Sequence, residues 1–457
     1  MPLTRRGRAL RRDVAAGIVL ALAILGAYGQ ALNGPFQFDD YSVIVLNPAV
    51  HSLKGWFASM PGIRPLLKLS YMLNWVTLPE PVWFRLFNVT VHGINSVLVY
   101  GLLRQLRGRD ATGDWVPLAS ALLFALHPVQ TEAVTYLSGR SVSLMALFYL
   151  GSLLTWVTAG RAGRAELWRL ASAILFAAAL MVKETAVTLP LAILLLDKLF
   201  LCRNATPREL ARRQALHWLI LVAGLMGCAA LPAYRRLLDA SVHARGLGYN
   251  LLTQVSAVWY LAGQLLRPWG MNVDPDQAVI RSWTAVIGWQ ILVIAVLLGL
   301  AWWSRRRRPW LALAILWFFL HLLPTNSVLP RLDVANDRQL YLAALGAFVA
   351  ASLGVQTMLE RNRRAGLVLA ACGLLVLGTL AAATVQRNAV YQSEIAFWED
   401  AAMRSPHKPR VANNLGYAYQ RAGRLDEARQ AYRRAIALDP QYGKARINLE
   451  ALEDSER

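Results

Sequence analysis

The chain has 457 residues, 56% of them hydrophobic and only 16% charged, with a formal net charge of +21. So apolar a composition excludes an ordinary soluble domain and indicates a polytopic α-helical membrane protein. The positive charge lies in arginine clusters between apolar runs, which membrane topology accounts for without nucleic acid binding.

The N-terminus carries Arg5, Arg6, Arg8, Arg11 and Arg12 before an apolar run with no Ala-x-Ala-like cleavage site. It reads as a retained signal-anchor helix that starts in the cytoplasm. At roughly twenty apolar residues each, about eleven spans are expected, near 14–32, 84–103, 115–126, 144–158, 167–182, 186–201, 216–232, 284–303, 310–323, 339–357 and 366–385. Arg104, Arg107, Arg109 and the later arginine clusters then fall on the inner face. Residues 33–81 form a long external loop. Within it Leu53, Trp56, Phe57, Leu66 and Leu67 mix with Lys54, Arg64 and Lys68, a pattern suited to helices lying in the interface plane. Segment 250–267 reads as interfacial or re-entrant, because a span there would place Arg305 to Arg308 outside. An odd number of spans leaves the C-terminus outside.

Residues 1–386 are therefore expected to form the multi-span domain and residues 387–457 a soluble tail. In that tail Leu415, Gly416, Tyr419, Gly423, Ala428, Tyr432, Ala435 and Pro440 match the 34-residue tetratricopeptide pattern. One complete repeat is fewer than the roughly three needed for independent stability, so it is expected to pack on the membrane domain or on a partner. Cys202, Cys228 and Cys372 form no ligand pattern, and neither a zinc site nor a disulfide framework is indicated.

Unusual polar residues gather at the outer ends of the spans: Asp39, Asp40, Arg64, His92, His127, Glu132, Arg140, Lys183, Glu184, Asn326, Arg338 and Tyr341. Positive-inside topology does not explain such a group, and ionisable residues at membrane depth are functional candidates. Structural readings stand beside the functional ones. Asp39-Asp40 would serve as a hydrated loop or helix cap, and His92 as interhelical glue with Asn88 and Asn95. His127-Pro128 would end a helix, Lys183-Glu184 would be a local ion pair, and Arg338 a headgroup anchor. Guanidinium gives planar, permanently charged recognition, so Arg140 and Arg338 suit a phosphate. There is no His-x-x-x-His, His-Glu-x-x-His or Gly-x-Ser-x-Gly spacing, so no metal site or serine hydrolase is expected.

Taken in order, the motifs form a familiar series. Phe38-Asp39-Asp40, Asn47-Pro48-Ala49-Val50, Arg64-Pro65-Leu66, Phe87-Asn88-Val89-Thr90-Val91-His92 and His127-Pro128-Val129-Gln130-Thr131-Glu132 come first. Ser138-Gly139-Arg140-Ser141, Lys183-Glu184-Thr185, Pro324-Thr325-Asn326 and Arg338-Gln339-Leu340-Tyr341 follow. The series resembles the TMTC family, the transmembrane and tetratricopeptide-repeat-containing O-mannosyltransferases, and its bacterial relatives. The resemblance implies a GT-C glycosyltransferase: an all-α multi-span bundle using a polyprenyl-phosphate-linked sugar and an outer-face acceptor, protein or glycan, engaged through the repeats. It also implies that an Asp of the first external loop is the base, with no metal or other cofactor required. The Arg/Ala/Leu-rich composition suggests a bacterial inner membrane and undecaprenyl phosphate in place of dolichol. The chain departs from eukaryotic members in its short repeat array and in Asn336-Asp337, where those members often carry Glu. A non-catalytic repeat scaffold and a polysaccharide ligase or polymerase are the alternatives.

Overall fold

The computed structural model describes residues 5–108, 114–161 and 163–455. Arg109 lies outside the described residues, as do the side chains of Arg5, Arg6 and Arg8. Among the described residues the chain is helical with no strand. Helix α1 (Arg5–Tyr28) buries Ala16, Leu20, Ile24 and Ala27 and leaves Ile18, Leu22 and Leu25 exposed. One stripe thus packs inward and the other suits lipid. The first long loop carries α2 (Leu53–Ala58) and α3 (Pro65–Thr77). Pro65 opens α3, which packs Leu67, Ser70, Tyr71 and Met72 against the bundle and exposes Leu73 and Val76.

Helices α4 (Pro81–Arg107), α5 (Val116–Leu126) and α7 (Arg140–Ala159) form the centre, with the single turn α6 (Thr131–Val134) between α5 and α7. Around them pack α8 (Ala165–Val182), α9 (Leu189–Leu196), α10 (Pro207–Arg213) and α11 (Ala215–Ala230). The second long loop holds α12 (Pro232–Ala244) and α13 (Leu247–Gln264), and the bundle ends with α14 (Ala285–Ser304), α15 (Pro309–Leu322), α16 (Leu340–Arg361) and α17 (Arg363–Ala389).

Helices stand at every expected span position, but they are not eleven equal spans. Seven among the described residues (α1, α4, α7, α8, α14, α16 and α17) are long and apolar enough to cross a membrane. The α10–α11 pair, bent by 68°, would make an eighth. Helices α5 and α15 have 11 and 14 residues. At 1.5 Å per residue, 11 residues give about 16 Å, half the hydrocarbon thickness. His127-Pro128 ends α5 early, because the residue before a proline is pushed out of helical geometry. The protein is a multi-pass membrane protein in which several helices stop short. Helix α13 is not among the apolar spans, and it buries Asn250, Thr253, Gln254 and Gln264 toward the protein.

The tail comprises α18 (Glu394–Arg404), α19 (Pro409–Arg421), α20 (Leu425–Leu438) and α21 (Gly443–Ser455). A Cβ on Gly416 would stand 2.7 Å from the Tyr432 ring, so glycine is what lets α19 and α20 close on each other. The tail does not project freely. Trp398 meets Phe38 edge-on at 5.0 Å between centroids, and Asn272 Nδ2 donates to Ser405 Oγ at 2.8 Å. Lys408 and Arg410 both pair with Asp274, and Arg410 also reaches Asp333. The repeat has two small cores of its own, around Ala435 and around Tyr432, and its α18–α19 end docks on the loops of the membrane domain.

Candidate active site

The two acids at the end of the first span separate into different jobs. Asp40 is buried and saturated: Oδ2 accepts from the Gln37 backbone N–H at 3.0 Å, and Oδ1 from the Ser138 N–H at 2.9 Å and Oγ at 2.6 Å. It fastens the loop to the start of α7. Burial pushes its carboxyl up to about 6, opposed by the Ser138 and Gln37 hydrogen bonds. Asp39 is only half-buried and lines a cavity with Glu132, Tyr136, Asp333, Asn336 and Arg338. Its backbone N–H donates to the Tyr136 hydroxyl at 3.0 Å. Burial raises its carboxyl and the nearby Arg338 guanidinium pulls the other way. Phe38, immediately before it, has φ 48, a left-handed conformation that a bulky residue adopts only where packing imposes it. Here the Trp398 ring on one side and the Asp40 bonds on the other impose it. Trp398, Phe397 and Arg410 of the tail complete the wall.

A second cavity adjoins the first. It is lined by Lys183, Thr185, His321, Thr325, Arg331, Asn336, Arg338 and Gln339. Asn336 and Arg338 belong to both walls. Arg338 is held from behind, with its backbone N–H on Glu132 Oε2 at 2.9 Å and its Nε 3.4 Å from Glu132 Oε1. Lys183 is buried, and its closest polar contact is Ser141 Oγ at 3.4 Å. The Arg331 side chain makes no hydrogen bond or ion pair among the described residues. Burial pushes the Lys183 ammonium well below its usual value, and the neighbouring Arg64, Arg338 and Arg331 charges push it further. Burial and Arg338 likewise lower Arg331. Among the described residues neither cation is in ion-pair contact with a carboxylate, although Glu184 lies near both and Asp333 near Arg331, and with Arg338 beside them they make a site that an anion would relieve.

An apolar groove begins one helical turn from this cavity. Phe318 lies one turn before His321 on α15 and Gly346 one turn after Leu342 on α16, and both line the groove with Val258, Trp259, Ile294 and Leu311. Its accessible lining is entirely apolar.

The remaining sequence candidates divide sharply. Arg64 grips Glu184 with both ends, Nε at 3.0 Å from Oε1 and Nη2 at 2.8 Å from Oε2, and Tyr234 adds a hydrogen bond to Glu184. That pair borders the cationic cavity through Lys183. Arg140, His92, His127, Asn326 and Tyr341 line neither cavity. Arg140 is bonded to Asn88 Oδ1, Ser70 O and Phe84 O, with its guanidinium 4.3 Å from the Phe87 ring centroid. His92 and Asn95 both meet the Tyr341 hydroxyl at 2.9 Å, a buried knot between helices. His127 Nδ1 accepts from the Val129 N–H and caps the turn after α5. Asn326 ties its loop to Gln254 of α13. These residues tie the helices of the bundle to one another and line neither of the two cavities. Sequence reasoning passed over Arg331, Trp398 and Arg410. Arg331 had the same signal as Arg338, an arginine in an expected external segment. The two tail residues had none, because their place depends on docking.

Residues 80–232 match the family model described as dolichyl-phosphate-mannose-protein mannosyltransferase, and residues 409–442 match the tetratricopeptide repeat. Over 477 residues the chain is 26% identical to the human protein O-mannosyl-transferase TMTC4, across 88% of this chain and 63% of that protein. The chain is a relative of the TMTC proteins. Mouse protein O-mannosyl-transferase TMTC3 is 23% identical over 94% of this chain and 52% of its own length. Human TMTC1 is 25% identical over 99% of this chain and 58% of its own. The chain therefore spans between about half and two thirds of these TMTC relatives. The mannosyltransferase model covers Glu132, Lys183 and Glu184 but ends before Arg331, Asn336 and Arg338.

Proposed function

We propose that this protein is a membrane mannosyltransferase that moves a mannosyl group from a polyprenyl phosphate to an acceptor hydroxyl on the extracytoplasmic face. The observation that carries this reading is a pair of neighbouring cavities with Asn336 and Arg338 in both walls, one presenting the Asp39 carboxylate and the other Lys183 and Arg331. A lipid-phosphate sugar has an anionic centre between a sugar and a long apolar chain. The cationic cavity flanked by an apolar groove has that order of chemistry. The TMTC relatives are named O-mannosyl-transferases, which favours mannose and a protein hydroxyl. Undecaprenyl phosphate is the donor lipid we expect, in a bacterial inner membrane with the tail outside.

Asp39 accepts the proton of the acceptor hydroxyl as its oxygen attacks the anomeric carbon. The bond from that carbon to the phosphate oxygen breaks, and the electron pair leaves with the polyprenyl phosphate. The departing phosphate gains charge as the bond stretches, so Lys183, Arg331 and Arg338 hold it more strongly in the transition state than in the ground state. Attack from the Asp39 side, on the face away from the phosphate held by Lys183 and Arg331, inverts the anomeric centre. Phosphate is already a competent leaving group, and the step is written without a metal. Glu132 keeps Arg338 in place, and the tail walls the acceptor side.

The test is reconstitution of the full chain in liposomes with undecaprenyl-phosphate mannose and periplasmic acceptor proteins. Mannose should move to protein, and Lys183→Ala and Arg331→Ala should each lower the rate by about 100-fold, the scale of one lost charge-stabilising group. An unconsumed donor with the wild-type chain, or full rates in both variants, overturns the proposal.

A further inference from the structure

Where the two cavities meet, the protein buries polar atoms that it does not satisfy. Asn336 is 3% exposed, yet neither its Oδ1 nor its Nδ2 has a hydrogen-bond partner. Gln339, on the wall of the cationic cavity, leaves both Oε1 and Nε2 unpaired. His321 is the third. Its Nδ1 lies 2.9 Å from the Trp317 carbonyl and so carries the proton, which leaves Nε2 as a bare, unpaired acceptor. Buried polar groups are nearly always paired, and unpaired ones concentrated on one cavity call for a ligand. Elsewhere among the described residues a buried amide leaves at most one side-chain atom unpaired, as Asn95, Gln130 and Gln214 do, and Asn88 and Asn326 leave none; only Asn336 and Gln339 leave both.

The chemistry of these atoms selects the ligand. A phosphate only accepts, and Lys183, Arg331 and Arg338 already offer it donors. An apolar chain can do neither. Two amides and an acceptor imidazole require groups that donate and accept at once, which is what the neighbouring hydroxyls of a hexose do. Position agrees with chemistry. Asn336 is shared by the Asp39 cavity and the cationic cavity, so a ring held there lies between the base and the leaving phosphate.

We propose that Asn336, Gln339 and His321 form the hexose subsite of the donor and determine which sugar is transferred. This rests on the function proposed above, with the sugar-phosphate bond lying at the junction of the cavities. Asn336 is the residue nearest the transfer, because it faces both the attacking and the leaving side. Gln339 and His321 line only the cationic cavity, where hydroxyls remote from the anomeric carbon would be read.

The experiment measures binding of two probes, undecaprenyl-phosphate mannose and bare undecaprenyl phosphate, to the full chain in nanodiscs. The wild-type chain should bind the mannosylated lipid more tightly. Asn336→Ala and Gln339→Ala should each weaken that lipid by about tenfold, the value of one hydrogen bond to a buried group, and leave the bare lipid unchanged. These amides have no partner in the protein, so the unliganded variants should keep the wild-type melting temperature. Equal weakening of both lipids, or a lowered melting temperature, would assign the residues a structural role and overturn the subsite. So would unchanged affinity for the mannosylated lipid. A wild-type chain that binds both lipids equally refutes the subsite alone; one that binds neither refutes the donor assignment itself.

Discussion

The division between Asp39 and Asp40 gives the sharpest prediction. Asp39→Asn keeps the backbone bond to Tyr136 and the side-chain volume but removes the proton acceptor. A positioned general base contributes about 10²–10⁴ in rate, or roughly 3–5 kcal/mol of barrier, so mannosyl transfer should fall by that factor with the melting temperature unchanged. Asp40→Asn acts on the fold instead. An amide retains one oxygen, so one of the donors from Gln37 or Ser138 loses its acceptor, at a cost of about 1–3 kcal/mol. Removing the buried charge offsets part of this. The Asp40 carboxyl is raised from 3.8 to about 6 by burial. Its contribution to stability is thus fully present below pH 3.8 and is lost as pH rises through about 6, on the order of 3 kcal/mol in all. Asp40→Asn should therefore look weakest against the wild type at pH 4–5 and gain on it as pH climbs past about 6, with transfer falling by no more than about tenfold. Thermal unfolding in detergent from pH 4 to 8 and donor turnover in liposomes measure both halves. Near-normal turnover in Asp39→Asn, with turnover abolished in a stable Asp40→Asn, would refute the reasoning and exchange the roles.

Three further outcomes follow from the same contacts. Transfer should rise with pH as Asp39 loses its proton, with a midpoint above the ordinary carboxylate value of 3.8, because burial raises it; the residual rate of Asp39→Asn should lack that limb. Arg140→Ala should lower the melting temperature in detergent by an amount corresponding to about 2–5 kcal/mol, since it empties a buried volume and leaves the Asn88, Ser70 and Phe84 oxygens without their donor. A stable Arg140→Ala would mean that those oxygens find other partners. Asp274→Ala removes the carboxylate that holds both Lys408 and Arg410, so hydrogen exchange of residues 394–421 should quicken; unchanged protection would place the docking energy in the Trp398 and Phe38 rings.

The sequence by itself determined the class of protein and the position of nearly every bundle helix. Apolar runs cannot be hidden in a chain of this composition, and every backbone group in lipid must bond within its own helix. The tetratricopeptide spacing was legible for a similar reason, because Gly416 and Tyr432 meet by local helix geometry. The polar residues near the cavities were also visible, since charges at membrane depth are costly wherever they occur. Their partners were not. Whether an arginine is spent on a carbonyl, as Arg140 is, or left facing a cavity, as Arg331 is, depends on chains of contact between residues far apart in sequence. Helices α5 and α15 stand where the short apolar runs near 115–126 and 310–323 place them, and α5 stops at His127-Pro128. The tail's place on the Asp39 cavity lay beyond sequence altogether, because it is fixed by the fit of Trp398, Lys408 and Arg410 to loops more than a hundred residues away. Asp39 and Asp40 stand side by side in the chain, and only the packing around them makes one a fastening and leaves the other open to the cavity.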